Sequence, residues 1–406
     1  MKTRLARLDW RRPPTWLLGL VLALITWSIS LAPPSVGLDG SWIAGISMAT
    51  HGGLQYGTEF IFSYGPLGFL ALPLVFYSGF GVLSLLYLSL LYIAFCIALV
   101  WALRRRFPAW FCLVFGFALL GLLPLIEEPL ILATVASLIL LEREERPEWA
   151  TWAFIVLAAG FAAVEALTKL STGPAVVVVL FLALLGARVK RLQLAAFVAL
   201  FVALLAACWF ATGQGVANIG PFVVRTIEVA SAYSTAMMRV VDVAPWKVTA
   251  ATIAAATLSL ATVVITARLQ FRDRRARNFA IVLVAICSFA IYKEGVVRAD
   301  AGHLSLYFSS ACILWIGLPW RRGRWLLAGA VAIALIGIPM RPTGTTTNYG
   351  LIGNVKLAGE QVKTLFSGRE REELIAIGRA GDEGVYALEP NIKAALEGHT
   401  VNVEPW

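Results

Sequence analysis

The sequence predicts an all-α polytopic membrane protein with about eleven transmembrane helices, and three observations predict it. Of 406 residues, 59% are hydrophobic and only 14% are charged, a balance outside the range of ordinary soluble domains. Apolar runs recur along the whole chain, and they are continuous rather than alternating. Helices rather than a closed barrel therefore cross the roughly 30 Å of hydrocarbon. Basic residues cluster between alternate runs, and mean hydropathy is +0.78.

The runs read as Thr15 to Leu31, Leu74 to Leu103, Ala109 to Ile126, Pro129 to Leu141, Trp149 to Leu167, Pro174 to Leu185, Leu192 to Ala211, Trp246 to Ala267, Phe279 to Tyr292, Leu304 to Leu318 and Trp325 to Pro339. The fourth, sixth and ninth are shorter than the roughly 17 residues a vertical helix needs. Either their polar flanks snorkel or they belong to hairpins that stop partway. Six segments, Lys2 to Arg12, Arg104 to Arg106, Arg143 to Arg146, Arg188 to Arg191, Arg268 to Arg277 and Arg321 to Arg324, hold 21 of the 34 Lys and Arg. That asymmetry predicts a cytoplasmic N-terminus and a C-terminus outside.

The organisation expected is a transmembrane domain over residues 1–339, with outer loops 32–73, 212–245 and 293–303, and an exterior segment over residues 340–406. In that segment Val355 to Phe366 and Arg369 to Arg379 read as helices, and Gly384 to Leu388, Asn391 to Leu396 and Thr400 to Val403 as strand, helix, strand. So small an α/β unit cannot bury its own core. It either packs on the membrane domain or continues past Trp406, and the interrupted pattern favours continuation.

Composition also limits partners. The net charge of +10 resides largely on loop ends where anionic lipid is the neighbour, so membrane lipids rather than nucleic acid are expected. The five cysteines fall within apolar runs and read as small buried hydrophobes. Three histidines, His51, His303 and His399, have no ligand spacing, so neither a metal nor a cofactor is implied, although carboxylates alone can hold a hard divalent cation. The first apolar run is too long for a signal peptide core and stays as a span. No Gly-rich phosphate cradle argues for an ATP-driven machine, and no inverted repeat argues for a transporter.

Chemistry then belongs to the outer loops. The first carries Asp39, His51 and Glu59 and no Lys or Arg. Asp39 reads equally as the N-cap of a short amphipathic helix and as a base. Tyr64-Gly65-Pro66-Leu67-Gly68 is a rigid turn, rich in neighbouring aromatics that suit a membrane belt or a platform for a lipid chain or sugar. Glu127 and Glu128, between Pro124 and Pro129, form either a solvated turn or part of a site. Glu165 and Lys169 have helical pairing distance, while Lys169, with Ser171 and Thr172 before Pro174, could instead receive a phosphate. In the fourth loop, which reads as a surface-lying amphipathic helix, Arg225 and Arg239 are headgroup candidates. The fifth loop packs Lys293, Glu294, Arg298, Asp300 and His303 into one membrane edge. There Lys293 and Arg298 suit an anion, and Asp300 or His303 an orienting or acid–base role.

This layout resembles the GT-C superfamily of membrane glycosyltransferases. It shares an early acid in the first outer loop, a carboxylate pair at the next outer turn, cations on later loops and an exterior C-terminal segment. The resemblance implies a polyprenyl-phosphate-linked sugar donor, a glycan, lipid or protein acceptor, and inversion at the sugar. It implies a bacterial plasma membrane enzyme whose site faces outward. The family's first-loop acid matches Asp39, and its second-loop acid matches Glu127 or Glu128. Lys169, Arg225, Lys293 and Arg298 would bind phosphate, with Tyr64, Asp300 and His303 lining the site. Here Asp39 is followed by Gly40 where the family usually pairs two acids, and the Tyr-Gly-Pro-Leu-Gly turn suggests a separate branch. The alternative class is a transporter or lipid flippase, which the near absence of mid-span charge disfavours.

Overall fold

The computed structural model describes residues 13–35, 37–122, 127–142, 147–236, 245–297, 300–340, 350–386 and 390–397. Sixteen α-helices follow one another in the described residues. They are α1 (Thr15–Ile25), α2 (Leu38–His51), α3 (Ser78–Arg104), α4 (Ala109–Leu122), α5 (Glu128–Glu142), α6 (Glu148–Thr168), α7 (Gly173–Gly186) and α8 (Arg191–Ala211), then α9 (Ile219–Ala236), α10 (Pro245–Arg268), α11 (Arg274–Val297), α12 (Ala301–Gly317), α13 (Gly323–Gly337), α14 (Leu351–Phe366), α15 (Gly368–Tyr386) and α16 (Pro390–Leu396). No strand forms among the described residues, only isolated bridges.

Among the described residues, six helices are long and apolar enough to cross a membrane: α3, α6, α8, most of α10, α11, and α13 with its 3-10 extension to Met340. The shorter α1, α4 and α7 are equally apolar. The chain is an integral, multi-pass, all-α membrane protein. Its centre is α5, α7, α11 and α12, where Leu130, Leu138, Val179, Leu283, Cys287 and Phe308 are buried. Apolar side chains also cover the outside, for example Leu192, Leu260 and Leu335, which is the pattern of a surface solvated by lipid. Buried alanines, Ala158, Ala159, Ala162 and Ala163, let α6 approach α7 and α8 closely.

Basic side chains gather the helix ends at one edge. Arg104 Nη1 donates to the Pro13 carbonyl (3.3 Å) and Arg105 pairs with Glu142 (2.6 Å). Lys190 pairs with Glu148 (2.7 Å), and Arg275 Nη2 donates to the Leu185 carbonyl (3.0 Å).

Several boundaries differ from the sequence reading. The first run stops being helical at Ile25 rather than Leu31. Thr26 Oγ1 turns back onto the Leu22 carbonyl, and Pro33-Pro34 cannot extend a helix. The ninth run is not short, because its charged flanks are helical from Arg274 to Val297. The fourth and sixth remain short, at 15 and 14 residues. In the C-terminal segment the expected helices form, but Gly384 to Tyr386 continue α15 instead of starting a strand, since α15 runs on without a breaking proline. Thr400 to Val403 lie outside the described residues. The segment docks on the membrane domain, with Ile375 buried beside Leu31, Val75 and Leu85.

Candidate functional site

The first loop is a folded platform at the edge opposite the basic one. The turn Tyr64-Gly65-Pro66-Leu67-Gly68 is hydrogen-bonded to the end of α6. Gly65 N donates to the Thr168 carbonyl (3.1 Å), Leu67 N to the Leu167 carbonyl (2.9 Å), and Leu170 N returns a bond to the Ser63 carbonyl (3.0 Å). Tyr64 and Lys169 form an antiparallel bridge. A Cβ on Gly65 would lie 2.4 Å from the Leu167 carbonyl oxygen, so only glycine permits this approach. From the other side, Thr50 Oγ1 of α2 donates to the Pro66 carbonyl (3.1 Å). A second attachment joins residues 54–58 to residues 213–218. Gln55 Nε2 donates to the Gly213 carbonyl (3.0 Å) and Gln55 Oε1 accepts from Gly215 N (2.8 Å). Reciprocally, Gln214 Oε1 accepts from Tyr56 N (2.8 Å) and Gln214 Nε2 donates to the Leu54 carbonyl (3.0 Å).

Asp39 is exposed in the first turn of α2, and the helix cap is Gly37 rather than Asp39. The capping expectation is therefore corrected: the helix starts two residues too early, and the carboxylate instead accepts the Trp42 indole N–H (2.9 Å). Trp42 stacks on Tyr64 (ring centroids 5.4 Å apart, planes at 24°) and packs on Phe62 (5.5 Å). These rings make a shelf continuous with a small cleft lined by Tyr56, Phe60, Phe62, Leu170 and Arg225. Arg225 lies on α9, which is helical as expected, and pairs with Glu228 (2.6 Å). Lys293 Nζ reaches the Ala230 carbonyl of α9 (3.4 Å).

Beneath the platform sits a buried ionic cluster. Lys169 donates to Glu127 and to Glu294 (2.9 Å). The Glu127 side chain is only 2% exposed, against 20% for each of the other two. Burial pulls the Lys169 ammonium down, but the Glu127 and Glu294 carboxylates more than offset it and hold it well above the usual lysine range. The expected Glu165–Lys169 pair is corrected. Lys169 follows the last residue of α6 in an extended conformation, which takes it off the helical spacing, and buried Glu165 instead accepts from the Tyr87 hydroxyl. The solvated-turn reading of Glu127 is also overturned, because its side chain faces inward. Glu127 has a left-handed backbone (φ 59°) while its carbonyl accepts from Ile131 N, so it turns the chain into α5. Glu128 opens that helix, where a carboxylate suits the helix dipole.

The fifth loop contributes differently. Asp300 is the N-cap of α12, accepting from His303 N (2.9 Å) and facing His303 Nδ1 (2.9 Å), so both residues fix a helix start. Arg298 and Arg239 lie outside the described residues.

The structure thus brings Tyr64, Glu127 and Lys169 together, joins Asp39 to them through Trp42, and sets Arg225 beside the same aromatic residues. Glu294, Tyr87 and Trp42 were missed as site residues. Glu294 stood in the fifth loop beside Lys293, but only the loop's cations and its Asp300 and His303 were assigned roles. Among the described residues no three His, Cys, Asp or Glu side chains gather as a metal site. An apolar groove of about 190 Å³ runs between α4 and α13, lined by Phe115, Leu119, Leu122, Val331, Leu335 and Ile338. Leu122 precedes Glu127 by five residues. The chain matches no family model, no curated protein and no solved structure.

Proposed function

We propose that this protein is an inverting membrane glycosyltransferase that moves a sugar from a polyprenyl-phosphate carrier to an acceptor at the edge opposite the basic one. In this reading eleven segments, the first being α1 with its unwound continuation to Leu31 and the others α3 to α8 and α10 to α13, cross a bacterial plasma membrane. The basic edge is cytoplasmic by the charge rule, so the site faces outward. The carrying observation is the union of Asp39 with an aromatic shelf on a platform tied down at both ends.

A sugar ring stacks on the Trp42, Tyr64 and Phe62 shelf. Asp39 takes the acceptor hydroxyl proton as the acceptor oxygen bonds to the anomeric carbon. The carrier phosphate leaves with the electrons of the broken bond, so no covalent enzyme intermediate forms. Arg225 and Lys293 supply cations near the shelf. Lys169 is neutralised by two carboxylates, and its part is to hold the platform rather than to bind phosphate. The groove between α4 and α13 fits a carrier chain.

The test is Asp39→Asn in membranes supplied with polyprenyl-phosphate sugars. Loss of about 100-fold to 10,000-fold in transfer is expected for a general base, and unchanged transfer sinks the assignment. One observation favours a second reading, transport: Glu165 and Tyr87 carry the polar cluster from Lys169 into the span. Solute flux in proteoliposomes that survives Asp39→Asn but stops with Glu165→Gln would favour that reading over transfer.

A further inference from the structure

The first apolar run breaks inside the membrane, and α3 provides the ruler. Arg104 marks the basic edge. Tyr92 lies about 18 Å of helix away from it and Leu85 about 28 Å, against roughly 30 Å of hydrocarbon. The Tyr92 hydroxyl donates to the Thr26 carbonyl (2.8 Å), and Leu85 packs with Leu31. Residues 26–31, which are not helical, therefore climb from mid-bilayer to its far side. Peptide groups at that depth need partners, because lipid offers none. Trp27 Nε1 serves the Ile29 carbonyl (2.8 Å). Two more partners come from α14, more than 300 residues later. Asn354 Nδ2 donates to the Ile25 carbonyl (2.8 Å), and Gln361 Oε1 accepts from Leu31 N (3.0 Å).

Asn354 and Gln361 are seven residues apart, as are Tyr92 and Leu85, so α14 advances along the direction of α3 by about 10 Å over that stretch. A helix lying flat on the membrane surface would not. Its sidedness is inverted as well. The polar residues Asn354, Gln361 and Thr364 are buried against protein, while Ile352 and Phe366 are each 83% exposed, with Val355 and Val362 on the same face. α14 packs against α1, whose own Leu20, Val21 and Leu24 are exposed as a lipid-facing surface requires. Lys356 and Glu360 pair with each other (3.7 Å) on an adjacent strip, and long side chains there can snorkel toward the far edge. At that edge Arg371 of α15 caps α14 through the Thr364 and Leu365 carbonyls (2.7 Å each) and donates to Ser78 Oγ (2.8 Å).

We propose that α14 stands within the bilayer, in the half away from the basic edge, with Ile352, Val355 and Val362 against lipid chains, Phe366 at the headgroup edge beyond them, and its polar face completing the broken first span. The occupant of its outward face is hydrocarbon, because the bonds from Asn354 and Gln361 hold that face at the depth of Ile25 to Leu31, inside the roughly 30 Å that the ruler allows. This inference does not depend on the transferase reading.

The test uses the unaltered full chain in nanodiscs of phosphatidylcholine carrying a diazirine in the middle of one acyl chain. After illumination, adducts are mapped by mass spectrometry. Adducts at Ile352 and Val355, at levels matching those on exposed residues of α8 and α10, are expected. Adducts on α8 and α10 with none on α14 would overturn the proposal. Hydroxyl radicals generated in the water phase give the opposing readout: Ile352 protected and α15 residues such as Ile377 oxidised is the supporting result. Oxidation of Ile352 as rapid as that of Ile377 would overturn it.

Discussion

The two edges of the helical bundle use charge in opposite ways. At the basic edge the Lys190–Glu148 pair is well over half exposed and holds a short loop near water, while Arg105 and Glu142 are more enclosed. At the opposite edge Lys169 is enclosed with a Glu127 side chain that is almost wholly buried. Exposed pairs contribute about 0 to 1 kcal/mol and are interchangeable, whereas a buried charge deprived of its partner is left without solvation. Charge at the first edge fixes which way the bundle sits, and charge at the second fixes one local structure.

The comparison breaks most visibly at Lys169. Replacing it, Lys169→Met, leaves Glu127 and Glu294 facing each other and should destabilise the protein by about 3–5 kcal/mol, read by thermal unfolding in detergent. The pH sign follows from the raised lysine value. The contribution is fully present below the ordinary lysine range and is lost only as pH climbs through the raised value, so titration of this lysine adds no pH dependence to stability near neutrality. A second, smaller effect is expected from Asn354→Leu, which orphans the Ile25 carbonyl. A loss of about 1–3 kcal/mol is expected from the unpaired acceptor, measured in the same way, and a loss no larger than that of Lys356→Ala on the same helix would contradict that role. The smallest effect belongs to the basic edge, where Lys190→Met should move stability by no more than about 0.5 kcal/mol. A large loss there would erase the contrast.

Much of the fold was legible because apolar runs are long and their ends are charged. α8 and α10 begin and end within a residue of the expected limits, since Arg191 and Arg268 stop the apolar pattern abruptly. The break at Ile25 was not legible. Thr-Trp-Ser-Ile-Ser-Leu is apolar enough to continue a helix, and what makes unwinding tolerable is Asn354, more than 300 residues away. The same limit governed the site. Lys169 and Glu165 have helical spacing in the sequence, but α6 ends at Thr168, and that single residue redirects the lysine to partners on α11 and before α5. The aromatic shelf was legible as composition, since Tyr64 and Phe62 were visible in the loop. Its anchoring by Trp42 to Asp39 depended on where α2 starts.

The unwound stretch after α1 has a consequence for biosynthesis. The first span leaves the ribosome early, yet the groups that satisfy its Ile25 carbonyl and Leu31 amide belong to residues 354 and 361. During most of translation those two groups need a temporary partner, whether water held by the insertion machinery or a longer transient helix through residues 26–31. α1, which enters the membrane ahead of α3 to α13, is then among the last to reach its final shape. A nascent chain arrested before α14 would carry its defect at the opposite terminus from the arrest.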